Sequence, residues 1–169
     1  QTFSGSWGYH RDESSWRSTD ELVRKLVECV SKGGNLLLNV GPTARGEFDA
    51  RALARLQGIG DWMKRHGRAI YGCTAAPADI PVPEQSRLTW NPATRRLYVH
   101  LFAWPYKIVH LDNLADRVVY AQLLNDASEL LPIDTWRLRQ LGKQANTLSL
   151  ALPTQKPDVA VPVIELFLK

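Results

Sequence analysis

A single short apolar run, Leu36–Val40, lies between two segments of helical periodicity. Runs of this kind are typical of a strand that is covered on both faces in a parallel sheet. A lone parallel strand has nothing to pair with, so its backbone N–H and C=O groups would be unsatisfied. The first part of the chain is therefore predicted to be the end of a larger α/β domain whose earlier strands lie outside this sequence.

Two amphipathic helices are predicted on either side of this run. The first begins at Ser18, which forms a capping box with Glu21 three residues later, and it ends at Gly33. The second begins at Asp49, a favourable N-cap residue, and ends at Gly67. Apolar side chains recur every three or four residues along both segments: Leu22, Val23, Leu26, Val27 and Val30 in the first, and Leu53, Leu56, Ile59 and Met63 in the second.

Two glycines interrupt the second helical pattern. Gly58 and Gly60 each cost about 1 kcal/mol inside a helix relative to alanine. Close packing of this helix against a neighbouring element would account for their presence, and we expect such a contact.

The sequence pattern changes at about residue 75. Three prolines, Pro77, Pro81 and Pro83, mark a linker, and helical periodicity is absent after them. Seven short β-rich runs follow, separated by turn-forming residues, and this spacing predicts an antiparallel sandwich. The runs are Leu88–Trp90, Leu97–Trp104, Lys107–Leu111, Val118–Leu124, Thr135–Leu138, Thr147–Leu150 and Val161–Leu168.

The predicted fold class is therefore α/β plus all-β. Residues 1–75 form the incomplete α/β part, residues 76–86 form the Pro-rich linker, and residues 87–169 form the antiparallel β-sandwich. The sandwich could fold alone, whereas the α/β part should not.

Composition and charge exclude several classes of protein. Of the 169 residues, 44% are hydrophobic and 22% are charged, which is typical of a folded globular protein rather than a disordered chain. The formal net charge of +4 is spread thinly, whereas nucleic-acid-binding proteins usually concentrate it on one helix or stripe. Every uncharged stretch is shorter than the roughly 18–20 residues that cross a bilayer. We expect neither a nucleic-acid partner nor a membrane anchor.

The carboxylates and glycines near the apolar run give weak chemical signals. Glu47 and Asp49 are a candidate pair for acid/base work, but a loop Glu followed by an N-capping Asp is also an ordinary helix start. The loop at residues 41–46 lacks the glycine spacing and the Lys-Ser/Thr ending of a phosphate-binding loop.

Histidines and cysteines predict no metal site. Neither residue type shows metal-ligand spacing, and Cys29 and Cys73 are expected to be buried, unreactive thiols. His66 falls in the last turn of the second helix, where a partial positive charge is favourable, and His100 and His110 fall in predicted strands. The histidines are expected to be core or surface residues. The histidines are His10, His66, His100 and His110.

Aromatic residues in a glycine-flanked loop give a stronger signal. Trp7 and Tyr9 lie in the segment at residues 5–9, immediately before the α/β part. The polarised face of an indole ring binds C–H groups, which is why sugar sites use tryptophan. The alternative is that Trp7 is wedged under the loop as a core residue.

Three segments within residues 1–75 are distinctive in order and content: SWGYHRDE, LVRKLVECVSKGGNLLLNVGPTARGEF and GIGDWMKRHGRAIYG. Together they resemble the closing part of the catalytic domain of glycoside hydrolase family 29, the α-L-fucosidases. The dense run at residues 31–42 is the centre of this resemblance. Residues 80–169 match only in kind, because the family carries a C-terminal β-sandwich after a (β/α)8-like barrel.

The resemblance implies that residues 1–75 are the C-terminal end of such a barrel, and that the complete protein hydrolyses terminal α-L-fucosyl linkages with retention. The nucleophile, the acid/base and the histidines that hold the fucose hydroxyls are expected upstream of Gln1, so this chain contains no catalytic residue. Trp7 is implied as a substrate-binding residue, because its family counterpart lines the apolar side of the fucose pocket near the C6 methyl group. Arg45 stands where the family usually has Asp.

The resemblance also implies partners and a location. A fucosylated glycan is the expected substrate, and an N-terminal polypeptide carrying the missing barrel strands is the expected protein partner. No cofactor or metal is expected, because glycosidic cleavage through carboxylates needs neither. Family habit places such enzymes in secreted, periplasmic or lysosomal compartments.

Two other functions are compatible with the residues. One is a stand-alone carbohydrate-binding sandwich, in which aromatic residues of the second half would bind saccharides. The other is a supporting role, in which the sandwich braces the barrel and contributes homo-oligomer contacts. The aromatic candidates for saccharide binding are Trp90, Trp104, Tyr106 and Trp136.

Overall fold

The computed structural model describes residues 1–133, 135–140, 142 and 145–169. Two long helices come first, and the strands follow, with a third helix between the fifth and the sixth strand. The helices are α1 (Thr19–Val30), α2 (Ala50–His66) and α3 (Thr135–Gln140), and a turn of 3-10 helix, Gly67–Ala69, follows α2. The strands are β1 (Thr74–Ala75), β2 (Ser86–Asn91), β3 (Arg96–Leu101), β4 (Ile108–Leu111), β5 (Val118–Leu123), β6 (Leu148–Ala151) and β7 (Val163–Leu168).

The strands form two antiparallel sheets. The larger sheet has the order β1-β2-β3-β7-β5, and β4 pairs with β6 in the smaller one. The last strand of the chain, β7, therefore lies inside the larger sheet, between β3 and the edge strand β5. All the pairings within both sheets are antiparallel, as the sequence predicts.

A buried apolar cluster joins the two sheets. Leu97 and Val99 of β3, Ile164 of β7, Val109 of β4 and Leu150 of β6 all belong to it, and each is at most 4% exposed. Since successive side chains of a strand point to opposite faces, this cluster occupies one face of the larger sheet only.

The two long helices cover the opposite face of the larger sheet. Val23 and Val27 of α1 and Trp62 of α2 form a second buried cluster with Tyr98 of β3 and Val163 of β7. The helical layer and the sheet therefore share a core. Within the described part of the chain, no helix has the length and apolar character that a bilayer span requires.

The starts of both long helices confirm the sequence prediction. The Ser18 hydroxyl accepts a hydrogen bond from the Glu21 N–H (3.2 Å), and the Glu21 carboxylate accepts one from the Ser18 N–H (2.7 Å), which completes the capping box. The Asp49 carboxylate accepts the Arg51 N–H at 2.7 Å and caps α2. Gly33 follows α1 with φ of +75°, a conformation that glycine adopts at no steric cost.

A buried carboxylate links the helical layer to the larger sheet. Glu165 of β7 accepts hydrogen bonds from Arg68 (2.7 Å), Gln122 (2.6 Å) and the Tyr98 hydroxyl (3.2 Å). Its side chain is 4% exposed, whereas that of Arg68 is 54% exposed. Burial and the adjacent Glu165 charge raise the pKa of Tyr98. Four side chains from the segment after α2 and from three strands thus meet at one point.

The segment Leu36–Val40 forms no ladder within the described residues, and a strand there, whose partners are expected outside this sequence, stays a prediction. The segment forms one isolated parallel bridge, between Thr2 and Asn39, and no extended ladder. Leu38 and Val40 pack against a third, small buried cluster of Phe3, Leu22 and Ala52, but Leu37 is 83% exposed. A ladder needs a neighbouring strand along its whole length, and the described residues supply one only at a single point.

The predicted strand at Thr135–Leu138 is wrong, because these residues lie in α3. Trp136 is 62% exposed, whereas Leu138 is 7% exposed. Two residues that are two positions apart share a face of a strand but lie on different sides of a helix. The burial pattern is therefore helical.

Two of the predicted strands are shorter in the structure. One lacks a neighbouring strand at its end, and the other is preceded by a residue without a backbone N–H group. The run that was predicted to continue to Trp104 ends as a strand at Leu101, since its partner β2 begins opposite it at Ser86. The last strand begins at Val163 rather than two residues earlier, because Pro162 has no backbone N–H to donate.

The first strand of the larger sheet precedes the Pro-rich segment. Thr74 and Ala75 pair with Trp90 and Thr89 of β2. The domain boundaries given by the sequence, at residues 75 and 86, stay a prediction.

Alanine substitution is expected to have opposite effects at the two glycines of α2. A Cβ atom at Gly58 would lie 2.7 Å from Thr19 Oγ1 and 2.9 Å from Thr19 Cγ2, whereas a Cβ at Gly60 meets nothing within 4 Å. Gly60→Ala should therefore stabilise the fold by about 0.5–1 kcal/mol through helix propensity. Gly58→Ala should destabilise it by about 1–3 kcal/mol through overpacking. Urea unfolding measures both effects.

A second substitution tests the cause of the Gly58 effect. Thr19→Ala removes both atoms that the new methyl group would meet, so it should recover much of the loss when it is combined with Gly58→Ala. Equal responses at Gly58 and Gly60 would contradict the contact. The prediction that close packing explains these glycines holds for Gly58 and is wrong for Gly60.

Candidate active-site loop

The loop that carries Trp7 is closed at its base by a backbone hydrogen bond. The Arg17 N–H donates to the Phe3 carbonyl at 2.8 Å, and the Phe3 ring is buried in a cluster with Leu22 of α1. We call residues 3–17 the Trp7 loop. Trp7 is 69% exposed and Tyr9 is 37% exposed. The alternative that Trp7 is a core residue wedged under the loop is therefore wrong.

Glu13 holds the Trp7 loop together from within. Its Oε1 accepts hydrogen bonds from the Ser15 N–H (2.8 Å) and the Ser15 hydroxyl (2.6 Å), and its Oε2 accepts one from the Ser6 hydroxyl (3.4 Å). These hydrogen bonds, that of the Ser15 hydroxyl first, lower the pKa of Glu13 to about 2. Glu13 is therefore ionised near neutral pH and acts in the loop as a hydrogen-bond acceptor.

Arg51, in the first turn of α2, fixes one side of the Trp7 loop to the helix. Its guanidinium donates to the carbonyls of Arg11 and Glu13, both at 3.0 Å, and pairs with the Asp49 carboxylate at 2.9 and 3.0 Å. It also lies over the Trp16 ring, with Cζ 4.8 Å from the centroid. A planar guanidinium can donate several hydrogen bonds while it stacks on an aromatic face. The Arg51 side chain therefore joins three residues of the Trp7 loop to the start of α2.

The other side of the Trp7 loop lies on the segment that follows Leu38. The Asn39 side-chain amide donates to the Trp7 carbonyl at 2.5 Å. The Gly41 backbone lies directly against the backbone of Gly8 and Tyr9. The loop is thus held on both sides while its indole ring is left exposed.

Comparison with known proteins assigns this arrangement to a family. The family model described as alpha-L-fucosidase matches residues 1–68. The fold is similar to that of alpha-L-fucosidase isoenzyme 1 from Paenibacillus thiaminolyticus, with a TM-score of 0.89 and 38% identity over 99% of this chain and 38% of that chain. This chain belongs to the α-L-fucosidase family.

Other α-L-fucosidases support the same assignment. The tissue alpha-L-fucosidase of Bos taurus is 34% identical over 161 residues, which are 93% of this chain and 32% of that protein. A family 29 α-L-fucosidase from Bacteroides thetaiotaomicron has a TM-score of 0.82 and 26% identity, over 99% of this chain and 37% of that one. This chain therefore spans about a third of the length of these fucosidases.

The candidate acid/base pair of this α-L-fucosidase chain has a structural role at the start of α2. Asp49 caps the helix and pairs with Arg51, and the hydrogen bond from the Arg51 side chain is the largest cause of its lowered pKa. The carbonyl of Glu47 accepts the Thr43 N–H at 2.8 Å, which closes the preceding turn. The helix-start interpretation of the sequence accounts for this geometry.

Arg45, where the fucosidase resemblance leads one to expect Asp, lies exposed in that turn. Its N–H donates to the Thr43 hydroxyl at 3.3 Å, and the Gly46 N–H donates to the Thr43 carbonyl at 2.9 Å. Gly46 has φ of +80°. The turn is therefore closed by groups other than the side chain of residue 45.

Two histidines are buried between the helices and the larger sheet. His66 stacks on Trp62 with ring centroids 4.8 Å apart, and burial lowers its pKa. His66 is thus a core histidine, one of the two positions, core or surface, that the sequence leaves open for it. Nε2 of His100 and the Thr89 hydroxyl share a hydrogen bond of 2.9 Å. Burial lowers the pKa of His100 to about 3.

The cysteines differ from the expectation of full burial. Cys29 and Cys73 are free thiols and are half-buried. Burial raises the pKa of Cys73 to about 11, which keeps it protonated and weakly reactive. Among the residues whose placement is described, no group of three or more His, Cys, Asp or Glu side chains could hold a metal ion.

The aromatic candidates of the second half divide into two pairs. Trp90 and Trp104 pack partly buried against the core between the sheets. Tyr106 is 75% exposed and Trp136 is 62% exposed. Core packing therefore accounts for the first pair, and only the second pair offers accessible rings.

Sequence reasoning singled out Trp7 but missed the residues that hold its loop. Arg51 contacts carbonyls 38 and 40 positions earlier in the chain, and Asn39 contacts one 32 positions earlier. No local spacing rule connects residues so far apart. The sequence did place Asn39 at the carboxyl end of the apolar run, where α/β folds have their sites, but it did not show what Asn39 contacts.

Proposed function

We propose that this chain is part of a retaining α-L-fucosidase, that it supplies one wall of the fucose pocket through Trp7, and that it is inactive alone. The observation that carries this proposal is the Trp7 loop. An exposed indole on a loop that is fixed from both sides is a suitable surface for the apolar side of a sugar. The C6 methyl group of fucose gives that sugar a strongly apolar corner.

We further propose that α1, residues 36–40 and α2 are the end of a (β/α)8-like barrel. The alternation of Leu37 with Leu38 supports this, since Leu38 packs under the helices while Leu37 is 83% exposed. A neighbouring strand and the inside of a barrel would cover the exposed side. The two antiparallel sheets correspond to the C-terminal sandwich of this proposal.

The catalytic carboxylates are proposed to come from the remaining part of the barrel. Retaining hydrolysis needs a nucleophilic carboxylate and a carboxylic acid whose pKa is raised. Glu13 lies in the Trp7 loop and Asp49 lies next to it, and both have lowered pKa values because of their hydrogen bonds, so neither suits a proton donor. The related Bacteroides enzyme has been trapped as a covalent intermediate, which supports the two-step chemistry.

The proposed partners follow from the assignment of the catalytic carboxylates to another part of the barrel. The substrate is a fucosylated glycan, and the protein partner is a polypeptide with the missing barrel strands. A secreted, periplasmic or lysosomal location is part of the same proposal, because it rests on the family resemblance.

Incubation with an aryl α-L-fucoside tests the proposal. The isolated 169-residue chain should release aryl alcohol no faster than buffer. Activity should appear when the chain is mixed or co-expressed with the part of a related α-L-fucosidase that does not align with it. Trp7→Ala should weaken this restored activity, and Tyr106→Ala should leave it unchanged. Turnover by the isolated chain would overturn the proposal.

A carbohydrate-binding role for the second half remains a second candidate, because Tyr106 and Trp136 are exposed. Titration of the chain with fucose and oligosaccharides, followed by tryptophan fluorescence, separates the two functions. Loss of the signal in Trp136→Phe but not in Trp7→Phe would favour the binding module. Loss in Trp7→Phe alone would favour the fucose pocket.

A further inference from the structure

We propose that Asn39 and Gly41 are positioning residues that fix the orientation of Trp7 toward the substrate. The inference rests on the proposed function, because it assigns a role to the groups that hold Trp7. It adds to that function two residues that do not themselves touch fucose. Together they make the end of the 36–40 segment part of the pocket wall.

The exposed indole ring depends on its backbone for its orientation. Because Trp7 is 69% exposed, its side chain has few packing contacts that could fix it. The Asn39 amide nitrogen donates to the Trp7 carbonyl at 2.5 Å and so fixes the peptide unit next to the indole. A carboxylate at position 39 has no hydrogen to donate and would repel this carbonyl.

The backbone of Asn39 is itself held in place. Its N–H donates to the Gln1 carbonyl at 2.8 Å, and the residue forms the parallel bridge with Thr2. The Asn39 side chain therefore extends to the Trp7 carbonyl from a backbone that is held in place by its own hydrogen bonds.

Gly41 fixes the same turn of the loop by allowing two backbones to touch. A Cβ atom at Gly41 would lie 2.5 Å from the Tyr9 nitrogen and 2.7 Å from the Gly8 carbonyl carbon. These are backbone atoms, so they cannot rotate away, and any side chain at position 41 must push the loop outward. A Cβ atom at Gly8 meets nothing within 4 Å, so Gly8→Ala is a matched control for the added methyl group.

The expected kinetic effect follows from what Trp7 is proposed to contact. A displaced indole loses apolar contact with the sugar but leaves the reacting bond untouched. Such a loss of uniform binding raises KM and leaves kcat nearly unchanged. One methyl group in an apolar pocket is worth at least a ten-fold discrimination, so we expect KM to rise about ten-fold.

The orientation of Trp7 can be measured in the 169-residue chain without any substrate. Incorporation of 5-fluorotryptophan gives one 19F resonance for each of the six tryptophans, and Trp7→Phe identifies that of Trp7. Asn39→Asp and Gly41→Ala should each shift or broaden the Trp7 resonance and leave the other five unchanged. Gly8→Ala should leave all six in place. An unchanged Trp7 resonance in both Asn39→Asp and Gly41→Ala would overturn the proposal.

The kinetic arm uses the activity restored by the complementing polypeptide. Asn39→Asp should raise KM for the aryl fucoside about ten-fold and keep kcat within about two-fold. A fall in kcat with unchanged KM would overturn the positioning role. If the wild-type mixture has no fucosidase activity, the proposed function fails, and the 19F resonances still decide whether Asn39 and Gly41 fix Trp7.

Discussion

Replacement of Trp62 by alanine is expected to lower the free energy of unfolding by about 3–5 kcal/mol. Trp62 is 4% exposed and lies where α2 meets the larger sheet. Its Nε1 donates to the Val161 carbonyl at 2.9 Å, and its ring stacks on His66. The substitution removes a large buried apolar surface and leaves the carbonyl without its donor. Urea unfolding at pH 7, followed by far-UV circular dichroism, measures the loss.

Two further variants isolate the cause. Trp62→Phe keeps an aromatic ring but loses the N–H group, so we expect a smaller loss of about 1–3 kcal/mol. Trp7→Ala, at an exposed position of the same residue type, should change stability by less than about 0.5 kcal/mol. If Trp62→Ala cost no more than Trp7→Ala, the helical layer would not depend on this contact.

Acidification from pH 7 to pH 5 is expected to destabilise the fold by about 2 kcal/mol through His100. Burial lowers the pKa of His100 to about 3 and also lowers that of His66. In the unfolded chain both return to about 6.5. Between these values the unfolded state binds more protons, so stability falls as the pH drops below about 6.5.

The surroundings of the two imidazoles explain why neither accepts a proton in the folded state. Within the described residues, Nε2 of His66 and Nδ1 of His100 have no hydrogen-bond partner. Arg65 and Arg68 add positive charge near His66, and a proton on His66 would oppose a second proton on His100. The neighbouring Thr89 hydroxyl is neutral. A proton on either ring would therefore introduce a buried charge without an acceptor.

Unfolding free energies of the wild type and of a His66→Gln/His100→Gln variant at pH 7, 6 and 5 test this expectation. The wild type should lose about 2 kcal/mol more than the variant over this range. Carboxylates with lowered pKa values, such as Glu13, change the stability only below about pH 4.5. They therefore contribute little to the change between pH 7 and pH 5. Parallel pH profiles would contradict the assignment to the histidines.

Local rules predicted the parts of the fold that local chemistry determines. The capping box of Ser18 and Glu21 and the N-cap Asp49 follow from short-range hydrogen bonds, and the structure confirms both. Six of the predicted β-rich runs correspond to strands, because alternating apolar residues have the period of a pleated sheet. The family resemblance at residues 31–42 is confirmed by the comparisons.

Features that depend on distant residues could not be predicted by these local rules. Leu36–Val40 has the composition of a buried strand, but a strand forms only beside a partner, and the described residues give it one bridge. The sequence leaves open whether His66 is a core or a surface histidine, and packing on Trp62 buries it. Arg51 and Asn39 hold the Trp7 loop through contacts across more than thirty residues. Sequence spacing cannot reveal contacts of this kind.

Glu165 makes the packing of the helices on the larger sheet depend on their position along the strands as well as on apolar contacts. Apolar packing alone would allow α2 to shift along the sheet, because one buried methyl contact can replace another with little loss of free energy. A slide of α2 by one helical turn, about 5.4 Å, would separate Arg68 from the buried Glu165 carboxylate, which would keep the Gln122 and Tyr98 hydrogen bonds but lose its nearest cation. The Arg68–Glu165 ion pair thus selects one position of α2 along the larger sheet from those that apolar packing alone would allow.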